Sequence, residues 1–106
     1  MSNGSEEMLA SAVKNAKIKN LLDKVLSVEK CEVYKPSHKV YDLVEKEFNI
    51  RKNNVAFFSS NAWDMHAAAH YGFKTIWVNR FEGKLEKLPG NPYKIVQSLE
   101  KIIGIL

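Results

Sequence analysis

A continuous apolar run, Val55-Ala56-Phe57-Phe58, and a second buried-strand candidate, Thr75-Ile76-Trp77-Val78, flank a stretch of helical character. A strand that is apolar on both faces rather than alternating is typical of a parallel sheet. Asn53-Asn54 and Ser59-Ser60 bound the first run. Between the runs, a helix is predicted from about Asp64 to Tyr71, closed by Gly72 at a left-handed C-terminal position.

The same alternation extends in both directions. Ser5 predicts the cap of a helix from about Glu6 to Asn15, with Met8, Leu9, Ala12 and Val13 on one face. Glu6 and Glu7 fall in its first turn, where the helix dipole favours anions. A short helical piece, about Ile18 to Asp23, and a strand at Val25–Val28 follow. Lys35-Pro36-Ser37 then punctuates the chain. The proline biases Lys35 towards an extended conformation, and Ser37 is placed to cap a helix carrying Val40, Leu43, Val44 and Phe48 at helical spacing. After Gly90-Asn91-Pro92, a last helix is predicted with Ile95, Val96, Leu99, Ile102 and Ile103 as its apolar face. Strands alternating with helices predict an α/β fold with a parallel sheet covered on both sides. Ligands bind beyond the C-terminal ends of such strands, an edge that holds Ser59 to Asp64 and Asn79-Arg80.

A chain of 106 residues suits one small domain, and 45% hydrophobic with 26% charged residues suits a globular one. No apolar stretch approaches the roughly 20 residues of a membrane span. The segment Met1 to Glu7 lacks a basic region and an apolar core, so no secretory signal is expected. The single Cys31 has no partner for an internal disulfide, which fits a reducing, cytoplasmic setting. The net charge of +4 comes from 16 Lys+Arg against 12 Asp+Glu, and only Arg51 and Arg80 are arginine. The lysines alternate with glutamates along the whole chain. Nucleic-acid binders gather charge on one stripe and use arginine forks, so a nucleic-acid partner is not expected, nor a membrane.

The densest polar cluster is Ser59-Ser60-Asn61-Ala62-Trp63-Asp64, after a strand and at the start of a helix. Backbone N–H groups and small hydroxyls there suit an anionic ligand. Helix capping by Ser60 or Asn61 explains the same residues equally well. Lys35, held extended before a helix, can aim its ammonium at the same edge, though by itself it reads as a surface lysine. His66 and His70 lie four apart, a spacing that can bind zinc. Without a third ligand they read as surface residues. Cys31 reads as an inert thiol, and Met8 and Met65 as core or boundary residues.

The blocks Phe57-Phe58-Ser59-Ser60-Asn61-Ala62-Trp63-Asp64, Tyr71-Gly72-Phe73 and Trp77-Val78-Asn79-Arg80 resemble the (S)-2-haloacid dehalogenase family of the haloacid dehalogenase-like hydrolase superfamily. So do Val33-Tyr34-Lys35-Pro36 with Val40-Tyr41, and the opening Ser2-Asn3-Gly4-Ser5. The resemblance covers essentially the whole chain. It departs at Glu6, where proline is common, at Ser37-His38, and at Ala67, where glycine is common.

What the resemblance implies is a two-step hydrolysis of 2-haloalkanoic acids. An aspartate attacks C2 and expels halide, and water then cleaves the resulting ester with inversion. No cofactor and no metal are implied. Lys35 would pair with the nucleophilic carboxylate, and Ser59 and Asn61 would hydrogen-bond around it. Asp64 would position Lys35 and help activate water. Ser2 and Asn3 would hold the substrate carboxylate, Tyr41 would support the site, and Trp63 would be a pocket wall. Superfamily phosphatases carry an acidic magnesium ligand near Ser59-Ser60, and a serine hydroxyl is a poor substitute for it.

The family's nucleophile is an aspartate at the end of its first strand. Here the aspartates are Asp23, Asp42 and Asp64, and none has that context. The resemblance begins at the second motif, at Ser2. The family's sheet order, 3-2-1-4-5, puts the first two strands between Val25–Val28 and Val55–Phe58. Residues 1–106 therefore read as the C-terminal portion of a hydrolase core domain. The expected architecture is a partial Rossmann-like three-layer sandwich, with a parallel sheet lacking its nucleophile strand and cap. Three readings follow: the inactive piece of a truncated or decayed dehalogenase, one half of a split hydrolase completed by a separate chain, or a module that binds an anion without reacting.

Overall fold

The computed structural model describes residues 1–105. Helices α1 (Glu6–Asn15), α2 (His38–Phe48) and α3 (Ala62–Tyr71) accompany strands β1 (Ala56–Ser59), β2 (Lys74–Val78) and β3 (Lys94–Val96). The sheet is parallel throughout, in the order β1-β2-β3. Its register sets Ser59 beside Trp77 and Trp77 beside Ile95. An α/β fold with a parallel sheet is therefore what these residues form.

Local chemistry explains most of the element boundaries. The Ser5 hydroxyl accepts from the Met8 amide at 3.1 Å, and Glu6 and Glu7 occupy the first turn of α1. α3 ends at Gly72, whose φ of 127° suits glycine alone. A Cβ there would lie 2.9 Å from the Lys52 side chain. Ser37 stands at the N-cap position of α2 without making a side-chain cap bond.

Five expectations change. The segment at Val25–Val28 is not a strand but a single parallel bridge between Ser2 and Ser27. Ser2 donates to Leu26 O at 2.9 Å and accepts from Val28 N at 3.2 Å. The chain then turns into α1, so no longer ladder can grow. The helical piece at Ile18–Asp23 shrinks to a 3₁₀ turn at Lys19–Leu21. β1 is exposed to half-buried rather than buried on both faces, because it is an edge strand with β2 on one side only. The last helix is replaced by β3 and a 3₁₀ turn at Leu99–Ile102. Pairing with β2 wins there, because it closes bonds such as Tyr93 N to Thr75 O at 2.8 Å and Asn79 N to Val96 O at 2.7 Å. Met8 is 66% exposed, whereas Met65 is fully buried as expected.

Two clusters make the core. Tyr41, Ala68, Tyr71 and Phe73 pack with Val44, Phe57 and Ala67. Ile76, Val78 and Val96 pack with Phe58 and Ile102. In the first cluster the Tyr41 ring meets Phe57 and Phe73 edge-on at 5.8 and 6.0 Å, a favoured aromatic geometry. α1, in contrast, has no buried residue. Among the described residues no helix is long and apolar enough to cross a membrane.

Candidate functional site

The C-terminal end of β1 and the first turn of α3 meet at Asp64, which is 3% exposed. A carboxylate so deeply buried requires partners for its oxygens, and three side chains supply them. Lys35 Nζ lies 2.8 Å from Oδ2, and the Ser59 hydroxyl donates to the same oxygen at 2.9 Å. The Tyr41 hydroxyl donates to Oδ1 at 2.7 Å. The position of Asp64 in the first turn of α3 adds the favourable end of the helix dipole.

Each partner is itself held. The Lys35 amide donates to Asn3 Oδ1 at 2.8 Å, which ties the segment before Pro36 to the N-terminal turn. Its ammonium also lies 5.3 Å from the centre of the Phe57 ring, a cation–π distance. The Ser59 hydroxyl accepts from the Asn61 amide at 3.2 Å. Burial, then the hydrogen bond to Asp64 and the charge of Asp64, push the Tyr41 phenol well above its ordinary range. Tyr41 therefore stays neutral and remains a donor.

A cavity of about 370 Å³ opens over this pair. Ser2, Asn3, Lys35, Ser59, Asn61, Trp63 and Asp64 all line it, whereas Tyr41 does not. Tyr41, fully buried, meets the site through its hydrogen bond to Asp64. The Ser2 hydroxyl is engaged by the Gly4 amide at 3.1 Å. Trp63 is 38% exposed and forms part of the wall. The Asn61 side chain makes no capping bond to α3, which removes the simplest structural role considered for it. Asn79 and Arg80 do not line the cavity. The Asn79 side chain instead closes a turn with Gly83 through two hydrogen bonds of 2.9 Å.

Of the two histidines, His70 is exposed as expected and His66 is not. His66 is not on the surface but 2% exposed, with Nδ1 2.6 Å from the Gly90 carbonyl. Gly90 is pressed so closely onto α3 that a Cβ would come 2.4 Å from His66 O. Among the described residues no group of three or more His, Cys, Asp or Glu side chains could hold a metal ion.

Two contributors were not singled out in the sequence. Phe57 lies under the Lys35 ammonium, and the Trp77 indole N–H donates to the Ser60 carbonyl at 3.1 Å. A tryptophan inside a buried run is the available signal, because its N–H needs a partner.

A family model described as haloacid dehalogenase-like hydrolase matches residues 1–78. The chain belongs to that family. It is 38% identical over 102 residues to an (S)-2-haloacid dehalogenase of Pseudomonas putida, a match covering 96% of this chain and 45% of the relative. A solved L-2-haloacid dehalogenase superposes with a TM-score of 0.94 at 35% identity, over 98% of this chain and 46% of that one. The Xanthobacter autotrophicus L-2-haloacid dehalogenase, solved with chloropropionic acid covalently bound, gives 0.91 at 26% identity, over 99% and 54%. The chain thus spans about half the length of the dehalogenases it matches. The recognised likeness to (S)-2-haloacid dehalogenases holds across the chain, and so does the α/β fold.

Proposed function

We propose that residues 1–106 are the C-terminal portion of the core domain of a hydrolase that removes halide from 2-haloalkanoic acids through an aspartyl ester, and that they are inactive alone. One observation carries this reading. A buried Lys35–Asp64 pair borders a cavity at the C-terminal end of a parallel strand, and among the described residues Asp64 is the only carboxylate lining that cavity. Asp64 is already committed to Lys35, Ser59 and Tyr41. A second carboxylate, from outside these residues, must therefore be the nucleophile.

In the proposed reaction that carboxylate attacks C2 of the substrate as the carbon–halogen bond breaks, and the halide leaves with the bonding pair. Water then adds to the ester carbonyl, giving the 2-hydroxy acid and restoring the carboxylate. Lys35 keeps the nucleophile ionised, since a neighbouring cation favours the charged form. Asn61 hydrogen-bonds to it, and Ser59, whose single proton goes to Asp64, holds the Asn61 amide beside it. Asp64 orients Lys35 and helps take up the proton of the water. Ser2 and Asn3 receive the substrate carboxylate, Trp63 walls the pocket and Tyr41 holds Asp64. The reaction needs no metal and no organic cofactor.

A second reading is that a separate polypeptide supplies the nucleophile strand and cap. The open edge of β1 favours it, because an unpaired strand edge is a template for another strand. To test both, the chain is mixed with the portion of the Pseudomonas putida dehalogenase that it does not match, and halide release from 2-chloropropanoate is followed. Release that disappears with Lys35→Met supports the proposal. Failure to form a complex counts against the two-chain reading. Saturable binding of 2-chloropropanoate without release in the mixture would favour an anion-binding module.

A further inference from the structure

We propose that Trp77 is a positioning residue for this site, its indole N–H holding the loop that presents Ser59 and Asn61 to Asp64. The inference rests on the reading of the Lys35–Asp64 cavity as the functional site.

Trp77 lies in the central strand, 4% exposed, in register with Ser59. Its side chain is buried, and the indole N–H reaches the loop after β1. It donates at 3.1 Å to the carbonyl of Ser60, seventeen residues earlier. Ser60 is exposed and sits between the two residues that matter. On one side the Ser59 hydroxyl donates to Asp64 at 2.9 Å, and on the other the Asn61 amide donates back to that hydroxyl at 3.2 Å. A rotation of the backbone at Ser60 would move both. The loop has no side-chain cap from Asn61 to resist it, so the indole is the tertiary tether at its midpoint.

The ring has a neighbour at Cζ2, on the same side as its N–H. The Asn79–Gly83 turn, closed by two hydrogen bonds, lies close enough that a Cβ at Gly83 would be 4.0 Å from Trp77 Cζ2. Burial of an aromatic ring there could be met by phenylalanine. The loop carbonyl cannot, because phenylalanine has no donor.

Hydrogen exchange of the full chain, read by NMR, tests this. The Trp77 indole N–H should exchange at least about tenfold more slowly than that of the partly exposed Trp63, as expected for about 1.4 kcal/mol of protection. In Trp77→Phe, the Asn61 amide should exchange about tenfold faster while Ile76 and Val78 in β2 keep their rates. Gly83→Ala, which fits with ordinary contacts, should change neither. Equal acceleration of Asn61, Ile76 and Val78 would mean a general structural role and overturn the proposal. Should Trp77→Phe not fold, an indole N–H as labile in the native chain as that of Trp63 would overturn it as well. A selective effect at Asn61 supports the tether whether or not 2-chloropropanoate binds. Absence of that binding in the completed mixture would instead count against the proposed function.

Discussion

The two sides of the cavity are built differently. Asp64, Ser59 and Tyr41 belong to the β1–α3–α2 side, where Tyr41, Met65 and Ala68 have no exposure. Asn3 and Lys35 come from the side that carries α1, a helix without one buried residue, and the Ser2–Ser27 bridge that stands in place of a strand. The pair Lys35–Asp64, with side chains 9% and 5% exposed, joins them. Such a pair contributes little over apolar residues of the same shape, yet removing one partner strands the other as a buried charge. The seam thus depends on its ions being matched.

This contrast can be broken at its strongest point first. Asp64→Ala leaves the Lys35 ammonium and the Tyr41 and Ser59 hydroxyls without their acceptor, and denaturant unfolding should report a loss of about 3–5 kcal/mol. Tyr41→Phe removes one donor from Asp64 Oδ1, so the expected loss is about 1–3 kcal/mol. On the other side, Met8→Ala in α1 should stay within about 0.5 kcal/mol, and a larger loss would show that α1 is packed in solution.

A pH titration sharpens the same contrast. Burial first, then bonding to Asp64, raises the Tyr41 phenol, and burial with Asp42 and Glu45 raises that of Tyr71. The folded chain then holds protons that the unfolded chain releases above the ordinary phenol value of 10.0. Their contribution to stability is complete below that pH and is lost as pH rises beyond it. Ultraviolet titration should find both tyrosines un-ionised at pH 10 until unfolding exposes them.

What was legible in the sequence follows the same division. α2, α3, β1 and β2 carry strong local signals, such as the Val40–Leu43–Val44 spacing and the Thr75–Val78 run, and each appears within a few residues of its expected place. The segment at Val25–Val28 has the composition of a strand but depends on a neighbour, and only Ser2 lies beside it. β3 was hidden for the opposite reason. Its apolar residues fit a helical spacing, and only the free edge of β2 makes a strand the better choice. Within the site, the motif blocks pointed to Lys35, Ser59 and Asp64, and the fold brings Lys35 Nζ and the Ser59 hydroxyl to 2.8 and 2.9 Å from Asp64 Oδ2. The burial of His66 and the reach of Trp77 to Ser60 depend on tertiary contacts with Gly90 and the β1–α3 loop, and no local spacing encodes them.

The most direct test of the central claim is halide release from (S)-2-chloropropanoate by the purified chain alone. With Asp64 committed to Lys35 and, among the described residues, no other carboxylate on the cavity wall, the expected result is no chloride above buffer. Sustained chloride release that tracks the folded chain would mean that the 106 residues contain a working nucleophile, and would contradict the account.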